Sequence, residues 1–143
     1  MKLNSNAAFR KDEGLADFRM VVRDSEGRVL MFSGGKRLLS QPVDLIEAQA
    51  LLFALHLAYE VCFITVKVEI DCLSIVKALN SPNRGLAPLD LLIEDIRQFA
   101  LNFQFISFAF VPRQCNNVAH VISQWATGLD VDSVFYGGCS SCS

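Results

Sequence analysis

Residues 2–9 (KLNSNAAF) and 15–23 (LADFRMVVR) carry the apolar-rich patterning of short strands. Asp24-Ser-Glu-Gly27 has turn chemistry, and Arg28 to Phe32 reads as a returning third strand. Ser33-Gly-Gly-Lys36 breaks the pattern, and after Pro42 a helix is predicted from about Asp44 to Glu60. Ile64 to Ile70 (ITVKVEI) alternates β-branched and polar residues strictly, the period of a strand. A short helix is expected over Asp71–Asn80, then a loop at Ser81-Pro-Asn-Arg-Gly85. Pro88 opens a further helix to about Leu101, with Leu91, Leu92, Ile96, Phe99 and Ala100 at helical spacing. Gln104 to Val111 reads as a fifth strand and Asn116 to Thr127 as a last helix. The order β-β-β-α-β-α-α-β-α predicts an α/β fold, a mixed sheet covered by helices on both faces.

Composition bounds this picture. With 143 residues, 52% of them apolar and 20% charged, the chain is long enough to bury a core as one domain, expected over residues 1–136. The longest apolar run, Leu45 to Tyr59, is interrupted by Glu47, Gln49 and His56 and is too short to span hydrocarbon, so it reads as a buried helix. The first ten residues lack a signal-peptide pattern, and five cysteines, an odd number, suit a reducing compartment; an intracellular protein is expected, with nucleus and cytoplasm not distinguished. Cys62, Cys72 and Cys115 are expected in core elements. The tail Gly137 to Ser143 is small and polar, and its Cys139-x-x-Cys142 pair reads as part of a frayed terminus rather than a metal or redox motif. The formal net charge of −2 provides no basic excess for gripping phosphates.

Two acids stand out. On the predicted first helix Gln49, His56 and Glu60 mark the wet face, whereas Glu47 lies with Ala50, Leu51, Ala54 and Ala58 on the face that should meet the sheet. A buried carboxylate needs compensation. The alternative is a capping box, since Asp44-x-x-Glu47 has that spacing. Asp71 closes the ITVKVEI strand at the carboxyl edge of the sheet, where open α/β folds place ligands, and it could equally cap the helix that follows. Trp125 reads as a core anchor, and Phe99, Phe103, Phe105, Phe108 and Phe110 as core or interface, because no basic residues interleave with them. This apolar excess leaves room for a partner domain or a homo-oligomer.

Five segments, taken in order, resemble the ribonuclease H superfamily, in particular the retroelement-derived RNase H-type domains of plants. They are Lys2-Leu-Asn-Ser-Asn6-Ala-Ala-Phe9, Val21-Val-Arg-Asp-Ser-Glu-Gly-Arg-Val-Leu30, Ile46-Glu-Ala-Gln-Ala50, Val68-Glu-Ile-Asp71 and Val111-Pro-Arg-Gln-Cys-Asn-Asn-Val-Ala-His120. The resemblance implies an RNase H-like five-stranded mixed sheet, three antiparallel N-terminal strands followed by parallel ones, with helices on both faces. It also implies hydrolysis of the RNA strand of an RNA–DNA hybrid by two divalent ions, Mg2+ or Mn2+. One ion prepares the attacking water and the other stabilises the leaving 3′-oxygen.

The family's four acids fall at Asn6, Glu47, Asp71 and His120 of this chain. Glu47 and Asp71 keep the expected chemistry, and His at the last position is common in the plant domains. Asn6 replaces the ligand that both ions would share: an amide oxygen is neutral and offsets the repulsion of two dications poorly. Ala7 stands where the family usually has Gly beside the hybrid, while Arg113 and Asn116 match positions that could contact phosphate or sugar. The resemblance therefore implies an RNase H-type, nucleic-acid-binding domain with weak or absent cleavage; the alternative is a catalytically inactive binding or interaction module on the same fold.

Overall fold

A computed structural model describes residues 1–10, 12–38, 42–81, 85–116 and 133–136. β1 (Lys2–Arg10), β2 (Leu15–Arg23) and β3 (Val29–Leu38) form an antiparallel meander. Gly27 closes the second turn at φ +81°, and the Asp24 carboxylate accepts the Glu26 and Arg28 N–H groups, both at 2.9 Å. β4 (Thr65–Ile70) adds parallel to β1, and β5 (Phe105–Phe110) adds parallel to β4. The mixed five-stranded sheet expected from the sequence is present. A sixth short strand, β6 (Ser133–Tyr136), pairs antiparallel with β3, giving the order β5-β4-β1-β2-β3-β6.

The expected break at Ser33-Gly-Gly-Lys36 does not occur, since β3 runs through it to Leu38. Gly34 and Gly35 sit opposite Arg19 and Phe18, and the uninterrupted ladder of β2 outweighs the weak strand preference of glycine.

α1 (Val43–Glu60), α2 (Leu73–Asn80) and α3 (Pro88–Ala100) share one core with the sheet. Leu3, Met20, Val22, Met31, Val66, Val68 and Ile70 meet Leu51, Ala54, Leu55 and Ala58 of α1, Ile75 and Val76 of α2, and Ile93 and Ile96 of α3. Pro88 opens α3, with the Asp90 carboxylate accepting the Ala87 N–H at 3.2 Å, and Arg97 reaches the α2 terminus at the Ala78 and Ser81 carbonyls.

Cys62 is not a core residue. It is exposed and holds φ +66° just past α1, where Cys62 N–H donates to Tyr59 O and Phe63 N–H to Ala58 O. This bond pattern is a Schellman motif, a place that favours glycine. Cys72 is half-buried. The expected last helix, Trp125 and the tail 137–143 lie outside the described residues, as does the Cys115 side chain.

Candidate active site

α1 begins at Val43 after Pro42 with no side-chain cap, so Glu47 does not close a capping box; Asp44 instead accepts the Leu45 N–H at 2.9 Å. Glu47 is buried on the inward face beside Ile46, Ala50, Leu51, Ala54 and Ala58, as its helical position requires. There its carboxylate takes the Ala7 N–H of β1 and feels the charges of Asp71 and Arg113. Burial, then repulsion from Asp71, pushes its pKa up to about 7, against the opposing pull of Arg113 and the Ala7 N–H.

Asp71 does not cap α2. That helix starts at Leu73 after Cys72, and Asp71 lies in the bend between β4 and the helix. The parallel pairing of β1 with β4 runs to Asn4 beside Glu69, and Asn6 and Asp71 each follow two residues beyond that last pair. Asn6 Oδ1 and Asp71 Oδ2 are both buried without a hydrogen-bond partner. Buried polar atoms are seldom left so, because each forfeits its solvation. An unpartnered Asp71 oxygen with the desolvated Glu47 carboxylate near it is the kind of oxygen chemistry that a hard cation favours. Among the described residues no group of three or more His, Cys, Asp or Glu could hold a metal ion.

One step back along the same strands lies a buried network that sequence reasoning missed. Arg23 donates to Asn4 Oδ1 at 3.0 Å and to Glu69 Oε1 at 3.3 Å, and Asn4 Nδ2 donates to Asn116 Oδ1 at 2.8 Å. Asn116 ends a 3-10 turn (Arg113–Asn116), is only 2% exposed, and returns its Nδ2 to the Ser5 carbonyl at 3.3 Å. The signal was there as period-two pairs of polar residues, Asn4-x-Asn6 and Glu69-x-Asp71, at corresponding places on β1 and at the end of β4. On the other flank Arg19, paired in register with Asn6, forms a buried ion pair with Asp17 at 3.4 Å.

A profile described as reverse transcriptase-like matches residues 4–126. The chain belongs to the reverse transcriptase-like family. No curated protein matches this reverse transcriptase-like chain. Among solved structures it is similar to RNase H1 from Halobacterium salinarum, at 22% identity and a TM-score of 0.77 over 89% of this chain and 96% of that one. The N-terminal RNase H domain of a Mycobacterium tuberculosis protein follows at 21% identity and 0.73, covering 89% and 94%. A compost-derived RNase H1 in complex with an RNA/DNA hybrid aligns at 21% identity and 0.70, covering 84% and 91%. At these identities the likeness establishes the RNase H fold.

Of the residues singled out from the sequence, the reverse transcriptase-like domain brings Glu47 and Asp71 together, buries Asn6 on β1 two residues past its last pair with β4, and carries Arg113 exposed within electrostatic reach of Glu47. Ala7 is buried against Ala16, Phe18, Ile46 and Ala50 and presents its N–H to Glu47. His120 lies outside the described residues. No helix among the described residues is long and apolar enough to cross a membrane.

Proposed function

We propose that this is an RNase H-type nucleic-acid-binding domain in which Glu47, Asp71 and the Asn6 amide oxygen hold one divalent ion, Mg2+ or Mn2+, loosely. Hydrolysis of RNA–DNA hybrids is then weak or absent. The observation that carries this reading is the approach of Glu47 to Asp71, whose Oδ2, like the Oδ1 of Asn6, is buried without a partner. A bound divalent ion would supply charge stabilisation at a phosphate and an activated water. The two carboxylates offer half the formal charge of a four-acid site, so a second ion meets little attraction. Arg113 is the residue proposed to meet a nucleic-acid phosphate. Asn116, with its amide committed to Asn4 and Ser5, contributes by fixing the turn that carries Arg113, and Ala7 by orienting Glu47.

The amide at position 6 favours a second reading, a domain that keeps the fold for binding and has no catalytic step. Cleavage of a labelled RNA–DNA hybrid with Mg2+ and with Mn2+, run beside Asn6→Asp, separates the two. Slow parental cleavage that the substitution accelerates supports the first. Absence of cleavage by both proteins, with hybrid binding intact, supports the second.

A further inference from the structure

We propose that the edge of β5, unpaired by any strand among the described residues, pairs antiparallel with β5 of a second copy of this chain, about a two-fold axis at Phe108. The inference is independent of the metal site.

Sheet order places β5 at an edge, and no described strand lies beyond it. Soluble proteins usually protect such edges with lysine, proline or a bulge. Phe105-Ile-Ser-Phe-Ala-Phe110 has none of these, pairs with β4 without a register shift, and belongs to a charge-free run from Leu101 to Pro112. Phe105 is 58% exposed and Phe110 43%, so the strand also shows aromatic surface at both ends.

The hydrogen bonds set the register. Phe105 and Val111 donate their N–H groups to the Ile64 and Ile70 carbonyls, so odd-numbered residues face β4. Ile106, Phe108 and Phe110 therefore turn their N–H and C=O groups outward. An antiparallel copy centred on Phe108 uses all three: Phe108 bonds Phe108 of the second copy, and Ile106 bonds Phe110 of the second copy. Between them Ser107 meets Ala109, and Phe105 meets Val111. Every cross-strand pair is apolar or neutral, no like charges are opposed, and the exposed ends Phe105 and Phe110 each gain an aliphatic neighbour. This self-complementarity selects a second copy as the occupant.

Asn80 Nδ2 rests on the Phe108 carbonyl at 3.4 Å in an exposed contact, which a strand N–H replaces. A ladder of seven residues from each copy falls short of the roughly 1,200–2,000 Å2 typical of stable interfaces, so the dimer is a weak, concentration-dependent one.

The test is sedimentation of the full chain, in reductant, from low micromolar to several hundred micromolar. A reversible monomer–dimer equilibrium is expected. Phe110→Pro removes an outward N–H without removing a bond to β4, and Ser107→Lys puts a charge beside the axis. Each should weaken dimerisation at least tenfold while circular dichroism stays that of the parent. If Phe110→Pro does not fold, Ser107→Lys decides. The register is read separately from a Ser107→Cys, Ala109→Cys double variant, which should oxidise to a covalent dimer that the parent, treated identically, does not form. A monomer at every concentration, or a dimer indifferent to the edge substitutions, overturns the proposal.

Discussion

Glu47 is the residue whose environment contributes most to the reading of the site, and its ionisation is measurable. Because its folded-state pKa of about 7 lies above the ordinary 4.5, the native state holds this proton more tightly than the unfolded chain does. Its contribution is fully present below the ordinary value and is lost as pH rises through about 7, a change of about 3 kcal/mol for this buried group. In chelator, urea unfolding at pH 5 and pH 8 should show the parent losing stability over this range and Glu47→Gln losing distinctly less. Equal losses would contradict the assigned environment. The inward position of Glu47 was legible from helical periodicity, but its neighbours were not. Glu47 and Asp71 meet through the stacking of α1 on β1, the strand that β4 joins in parallel, a long-range relation that no local pattern encodes. Each acid alone also had a capping explanation, removed only when the helices were seen to start at Val43 and Leu73.

Among the elements, the end of α1 and the turn at Arg113–Asn116 make separate predictions. Cys62 occupies a left-handed conformation that penalises a side chain, so Cys62→Gly should stabilise the fold by about 1 kcal/mol, read as a higher melting temperature. No gain would mean that the turn relaxes without penalty. Asn116→Ala leaves the Asn4 amide and the Ser5 carbonyl short of a buried partner and should destabilise by about 2–3 kcal/mol; a loss below 0.5 kcal/mol, about that of an ordinary surface substitution, would show that water replaces it. Strand and helix identities followed from periodicity because ITVKVEI and the α3 repeat are unambiguous. The glycine pair in β3 misled because a local strand-breaking tendency says nothing about the partner strand that overrides it. Asp71 was read into α2 because an Asp before a helix is usually its cap.

At the scale of the whole molecule, the order of elements pointed to the mixed sheet, while the four-residue β6 left too short a pattern to register. A net charge of −2 predicts weak hybrid affinity that falls further as salt rises; tight, salt-insensitive binding in a gel-shift titration would point to a recognition surface other than the Arg113 side of the site. The central claim, that Glu47, Asp71 and position 6 form the remnant of a cation site, bears on global stability because an ion that binds only the folded state stabilises it by mass action. The most direct measurement is thermal unfolding of the parent and Asn6→Asp, in chelator and in saturating Mg2+ or Mn2+. Crowding a third carboxylate against Glu47 and Asp71 should make the variant melt below the parent in chelator. Metal should then raise it by about 2.7 kcal/mol at a hundredfold excess over the dissociation constant, well beyond the shift of the parent. A variant that melts with the parent in chelator and gains nothing from either ion would contradict the account.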